Sequence, residues 1–301
     1  MLDAKQAVQK AFEKKTVVPA FNIPYLPMVK PIVQAIVDEN SVAMLQVARI
    51  EWKKFSAGSL EAVAAEYEKY ANRQHTLLHL DHIPVIDEDM KEVDYLSIIK
   101  RAIGAGYQSV MIDASRLDLE GNIRATREIA DVAHAAKVPC EAELGSVMGH
   151  ESGKAVPYEE IFATKRGFTD VGQAGTFAQK SRCDWLSVAA GSIHGAVAES
   201  VRHQKKPEAR LDIERIRELR AAAGIPLVLH GGSGIRRDCI VDAIQSGIAK
   251  INVGTEIRQA YEQTMQAEGD VQRARVAVYE KTCSLIRDFL CIKDTRDLLF
   301  E

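Results

Sequence analysis

Eight short runs rich in β-branched and other apolar residues recur along the chain, each followed by a longer stretch. This alternation restricts the fold more than any other feature. The runs are "TVVPAFNI" (16–23), "VAMLQVA" (42–48), "TLLHLDH" (76–82), "SVMIDAS" (109–115), "VPCEAELG" (138–145), "WLSVAAG" (185–191), "PLVLHGGSG" (226–234) and "AKINVGT" (249–255). Between them, stretches such as "PMVKPIVQAIVDEN", "SLEAVAAEYEKYANRQ", "NIRATREIADVAHAAK" and "DIERIRELRAAAG" are amphipathic. Several close on Gly or Asn, as helix C-termini prefer. Eight strand-then-helix units in series predict an α/β fold, a (β/α)8 TIM barrel. The 301 residues are read as a single domain over 1–301, with a helical C-terminal extension ("VQRARVAVYEKTCSLIRDFL") from about residue 266. A Rossmann sheet uses the same alternation, but the first strand–helix junction, "FNIPYLP", has no GxGxxG loop.

Composition narrows the classes of partner. A net charge of −3 argues against nucleic acid, which calls for a basic excess or stripe. No apolar run approaches the ~20 residues of a membrane helix, so no membrane is expected. The opening "MLDAKQAVQKAFEKK" has the pattern of an amphipathic helix rather than a signal peptide. Five cysteines at no regular spacing give neither a CxxC pair nor a disulfide framework. The expectation is a soluble cytoplasmic protein.

The polar residues are placed unevenly. Asn22, Asp81, His82, Asp113, Ser115, Glu143, His230, Ser233, Asn252 and Thr255 fall at the C-terminal ends of the predicted strands, and His194 follows the sixth. In a barrel those ends meet on one face, where active sites are built. His82, His194 and His230 come from three different strands. Each alone would be an ordinary hydrogen-bonded histidine, but three at strand ends suggest a catalytic metal with three imidazole ligands. His79 sits further inside its strand and reads as structural. "HGGSG" (230–234) and "KINVGTEIR" (250–258) are two turns on neighbouring strands, rich in Gly, Ser, Asn and Thr. Their backbone N–H groups suit an anion, which makes a phosphorylated substrate the leading expectation.

Seven motifs in order, "AFNI", "HLDH", "MIDAS", "EAELG", "GSIHG", "HGGSG" and "KINVGTEIR", resemble those of the class II, metal-dependent fructose/tagatose-bisphosphate aldolases over about residues 1–265. The resemblance implies that His82, His194 and His230 bind one Zn2+, with Glu143 and Asp113 as secondary carboxylates. It makes Asp81 the acid/base at the C4 hydroxyl and places Glu151, in "SVMGHESGK", on the residue that exchanges the dihydroxyacetone-phosphate proton. Asn22, Gly195, Gly231, Ser233, Asn252, Gly254 and Thr255 fall on the substrate site, and Arg258 on an arginine that grips the distal phosphate, in some members from a partner subunit. A monovalent cation, Na+ or K+, beside the turns and a homodimer or homotetramer are also implied. The chemistry fits the residues without the name: a metal stabilises an enediolate, Asp81 takes the C4 proton, and Glu151 returns one. The stretch from 146 to about 169 is long enough to be a lid over that intermediate.

The pattern also departs from the family. Gly254 replaces the Asp usual in strict fructose-bisphosphate enzymes, which favours tagatose-type or other ketose phosphates. Ala198 stands near a usual Lys, with Lys205 and Lys206 in a longer basic loop. "ARIEWKKF" replaces a small turn after strand two, where Arg49 either faces the far end of the substrate or pairs at the surface. Met148, Ser152 and Gly153 alter the surroundings of Glu151. The expected reaction is zinc-dependent aldol cleavage of a ketose 1-phosphate with an anionic far end. A non-catalytic aldolase-like partner subunit, or another metal-dependent enediolate lyase or epimerase, stands as the alternative.

Overall fold

The computed structural model describes residues 2–146, 158–192 and 209–300. Eight strands pair in parallel with their sequence neighbours, and the first also pairs with the last, closing a barrel. They are β1 (Val18–Asn22), β2 (Ala43–Val47), β3 (Thr76–Pro84), β4 (Ser109–Asp113), β5 (Cys140–Leu144), β6 (Trp185–Val188), β7 (Leu227–Leu229) and β8 (Ile248–Val253). The (β/α)8 expectation is therefore met. Apart from β3, which runs two residues beyond its expected end to Pro84, the predicted strands ran past the observed ends. Strand seven, expected over 226–234, stops at Leu229 because the chain turns away through Gly231 and Gly234, both at positive φ.

Period-two alternation decides what each strand buries. Leu78 and Leu80 of β3, Val110 and Ile112 of β4, and Cys140 and Ala142 of β5 join one large apolar cluster with the surrounding helices. Leu77 instead joins Val18, Met44, Trp185 and Val228 in a second cluster inside the lower barrel. The helix Ala4–Lys14 closes that lower end with Ala7, Val8 and Ala11, and Asp3 caps it by accepting the Gln6 N–H at 2.7 Å. Above this apolar layer the interior is polar. His79, Ser109, Glu141, Ser187, Lys250 and Asn252 are all buried. Several of them touch across strands that are not neighbours, as Asn252 of β8 does Asp81 of β3. "TLLHLDH" is thus an alternating strand whose inward residues turn polar partway up the barrel.

The C-terminal extension packs along the side of the barrel and beneath it. Helix Val271–Ser284 lies on helix Val29–Asp38, with the Tyr279 hydroxyl donating to Asp38 at 2.9 Å. Arg287 pairs with Glu39, and Lys10 donates to the Leu299 carbonyl at 2.7 Å, tying the last helix to the first. Two segments differ from expectation. "ARIEWKKF" contains a helix, Arg49–Lys54, and the long connection after β5 includes a helix, Tyr158–Thr164. Among the described residues no helix is long and apolar enough to cross a membrane.

Candidate active site at the C-terminal mouth of the barrel

The polar residues at the strand ends converge on a cavity of about 180 Å³ lined by Asn22, Asp81, His82, Asp113, Gly231, Ser233, Asn252, Gly254, Thr255 and Arg258. That far exceeds the roughly 10–15 Å³ needed by one water, so the space is ligand-sized. Adjacent residues of a regular strand face opposite ways, yet Asp81 and His82 both line it. The β3–β4 register shifts between Leu80 and Ile83, and that irregularity re-aims the strand end.

His82 Nε2 and His230 Nδ1 face each other at 2.6 Å. Behind each ring stands a carboxylate: Asp113 at 3.3 Å from His82 Nδ1, and Glu141 at 2.8 Å from His230 Nε2. Carboxylates in those positions draw the ring protons to themselves, so the two facing nitrogens both present lone pairs. Lone pairs that close repel unless a positive charge lies between them. The titration directions express the same demand. Burial opposes charge on His82, but Asp81, Asp113 and Glu143 outweigh it and push the ring up to about 10. Burial and the charge on His82 hold His230 below its ordinary value. Glu143 Oε2 lies 3.5 Å from His230 Nδ1 and 3.9 Å from His82 Nε2, so donor atoms of mixed N/O type surround one point. Asp81, His82 and His230 form one group close enough to hold a metal ion, and His82, Asp113 and Glu143 another. The donor set fits a divalent cation. His194, Gly195 and Glu151 lie outside the described residues, as do Met148, Ala198 and the Lys205–Lys206 pair.

Asp81 is fixed from three sides. Its Oδ2 accepts from Asn22 at 2.9 Å and Gln46 at 3.1 Å, and its Oδ1 from Asn252 at 3.0 Å. Burial works against its charge, yet His82, His230 and Lys250 lower its pKa overall. It is therefore an ionised carboxylate, ready to take a proton. Below it, Lys250 lies 2.9 Å from Glu141 and donates to Asn252 at 2.6 Å, so one buried ammonium braces both the His230 side and the Asp81 side. His79 is buried against Ser109 at 2.8 Å, and burial together with Lys250 takes its pKa down to about 3, leaving it neutral.

The two turns meet beside this centre. A side chain at Gly232 would collide with Ile251 and the Asn252 carbonyl, at 2.6 and 2.9 Å, so the close approach of β8 demands glycine. The Ser233 hydroxyl lies 3.5 Å from the Glu256 N–H, at the start of helix Thr255–Glu268, which has no side-chain cap. At Gly254 an added Cβ would come within 3.1 Å of Asn22 Oδ1. Glycine there leaves Asn22 free to hold Asp81.

On the opposite wall Arg258 lines the cavity from its own chain. Its Nη1 donates to Glu262 at 2.7 Å, and Glu262 also accepts the Tyr25 hydroxyl at 2.6 Å. Arg49 both lines the cavity and pairs with Asp87 at 3.3 Å. Glu141, Gln46, Glu51, Arg116 and Glu262 were not singled out from sequence. Period two in "EAELG" places Glu141 on the same face as Glu143, and a lone Gln in "VAMLQVA" is a similar signal. Glu51 lies on a helix after its strand and gave none.

A profile described as "Fructose-bisphosphate aldolase class-II" matches residues 2–291. Among solved structures, the YdjI aldolase from Escherichia coli K12 is 28% identical, with a TM-score of 0.75 and 97% of each chain covered. A candidate fructose-1,6-bisphosphate aldolase from Coccidioides immitis shares the fold at 23% identity, with a TM-score of 0.76 and 98% of each chain covered. Fructose-bisphosphate aldolase from Campylobacter jejuni does so at 17% identity and a TM-score of 0.69, with 95% of this chain and 94% of that chain covered. The strand-end histidines and carboxylates thus sit in a chain that belongs to the class II fructose-bisphosphate aldolase family.

Proposed function

We propose that the protein catalyses the zinc-dependent, reversible aldol cleavage of a ketose 1-phosphate to dihydroxyacetone phosphate and an aldehyde. The observation that carries this is the facing pair His82 Nε2 and His230 Nδ1, each ring backed by a carboxylate, with the ionised Asp81 in the same cavity. His82 and His230, with His194 from the segment outside the described residues, are the proposed zinc ligands, and Glu143 stands by. Bound there, zinc supplies Lewis-acid stabilisation for the negative charge released when the C3–C4 bond breaks.

The chain's own groups do the rest. Asp81 accepts the C4 hydroxyl proton as the bond breaks, and the C4 half leaves as an aldehyde. Its three amide donors hold it in place while its charge changes. The electron pair stays on the C3 half as an enediolate, and Glu151 is proposed to return a proton to C3, giving dihydroxyacetone phosphate. The Gly231–Ser233 turn and the uncapped start of helix Thr255–Glu268 offer N–H and hydroxyl donors to the C1 phosphate. A Na+ or K+ ion beside these turns and a homodimer or homotetramer belong to the same proposal. A coupled assay for dihydroxyacetone phosphate over a panel of ketose 1-phosphates tests it. Release that stops with chelator and returns with zinc is expected. No release from any substrate by zinc-loaded protein would remove the reading.

A further inference from the structure

The far half of the cavity, beyond Asp81, is built by residues that follow the strands. Helix Arg49–Lys54 contributes Arg49, Ile50 and Glu51, and Phe55 and Arg258 complete the wall. Glu51 is only 6% exposed. Its Oε2 accepts the Ala48 N–H at 2.7 Å, and the Asn22 amide lies beside the carboxyl. Of the three arginines that line the cavity, Arg49 and Arg258 already face carboxylates, and Arg116 donates to the Met90 sulfur at 3.2 Å. Arg258 is held by Glu262 at 2.7 Å and lies 5.3 Å over the Phe55 ring, while Arg49 faces Asp87 and Glu88 at 3.3 and 4.0 Å.

A second phosphate needs a surplus of positive charge and fixed donors. Arg49 and Arg258 are balanced within the chain, and a dianion beside them would face the ionised Asp81. A hydroxyl group meets a better partner. Burial is the main influence on Glu51, Asp81 adds to it, and together they push its carboxyl up to about 8. At neutral pH it carries a proton and both donates and accepts.

We propose that Glu51 is a specificity-determining residue that hydrogen-bonds a hydroxyl on the far half of the substrate and turns away a second phosphate. The preferred substrate is then a ketose 1-phosphate with an uncharged, hydroxylated far end. This replaces the anionic far end expected from Arg258, and it rests on the aldolase reading.

The test runs the reaction in the condensation direction, with dihydroxyacetone phosphate and zinc-loaded protein. Glyceraldehyde, glyceraldehyde 3-phosphate and propanal, which has no hydroxyl, serve as acceptors. Wild type is expected to favour glyceraldehyde at least tenfold in kcat/KM over each of the others. Glu51→Ala is expected to shrink both ratios by about tenfold, and Glu51→Gln, also uncharged and able to donate and accept, to keep them. Ratios measured on one preparation are insensitive to the fraction folded. Preference for glyceraldehyde 3-phosphate, or ratios unchanged in Glu51→Ala, overturns the assignment while leaving the aldolase reading intact. No condensation with any acceptor removes both.

Discussion

The two walls of the cavity are built on opposite plans. On the metal-facing wall the functional groups sit on β3, β4 and β5, where barrel register sets their positions, and at His230 just past β7, and each imidazole is oriented by a carboxylate behind it. On the far wall they sit on helices that follow β2 and β8, and the charges cancel in local pairs such as Arg258–Glu262. The first plan concentrates charge that only a cation or a moving proton can balance. The second removes charge and leaves shape and hydrogen bonding to discriminate. A barrel can hold its chemistry on the strand ends while the helices after them vary the substrate.

The sharpest way to break the contrast is at Asp81. Asp81→Asn keeps the shape but turns an acceptor of three N–H bonds partly into a donor, and it removes the base. The expected loss in kcat is ~10²–10⁴-fold with metal content unchanged. A loss under tenfold would show that the metal-facing wall does not depend on that carboxylate.

Glu141 tests the same wall from below. Glu141→Gln leaves the buried Lys250 ammonium without its counter-charge, and breaking such a pair costs on the order of 3–5 kcal/mol. It also loosens His230, with an expected loss of about 10–100-fold in metal affinity. The double variant Glu141→Gln/Lys250→Met should recover most of the stability and none of the affinity. Denaturant melts and competition with a chromogenic chelator read the two effects separately. If affinity returned together with stability, Glu141 would be a packing residue rather than a positioning one.

How far the sequence revealed each wall follows from the same contrast. The barrel was legible because eight alternations leave few other solutions, and Asp81, His82, Asp113, Glu143 and His230 were legible because strand ends in a barrel converge. Glu141 was hidden in plain view, one alternation before Glu143. On the far wall Arg49 and Arg258 were named, but Glu51 and Glu262 were not. Glu262 matters through Tyr25, 237 residues away, and the Arg49–Lys54 helix is too short to announce itself by periodicity. The strand-end turns were legible as an anion site, but whether Arg258 is free to grip a second anion depends on Glu262, whose carboxylate it already holds.

The far wall also predicts a pH signature. The unfolded chain releases the Glu51 proton near 4.5, whereas the folded chain holds it to about 8. Between those values the folded state binds more protons, so this group's contribution to stability falls as pH rises and is fully lost above 8. Asp81 from β3 faces it and adds to the shift, Arg258 from the helix after β8 opposes it, and Tyr107 from the turn before β4 lies within its field. Glu51→Gln cannot ionise. Its stability relative to wild type should therefore grow by about a few kcal/mol from pH 5 to pH 8, read as the difference between two urea melts. A difference independent of pH would mean that Glu51 is already ionised in the fold.

The smallest effect is expected at Arg49, and it separates the two ways of reading the far wall. Its guanidinium pairs with Asp87, whose Oδ1 also accepts the Asp89 and Lys91 N–H groups at 3.0 and 2.9 Å. Removing the arginine therefore leaves no carboxylate stranded. Arg49→Met is expected to change stability by less than about 1 kcal/mol. If shape and the Glu51 carboxyl choose the acceptor, this variant should leave the glyceraldehyde to glyceraldehyde 3-phosphate ratio within about threefold of wild type. If the wall instead reads charge through Arg49, activity with the phosphorylated acceptor alone should collapse, and the ratio should rise. The direction of that change, more than its size, tells a wall that discriminates by hydrogen bonding from one that discriminates by charge.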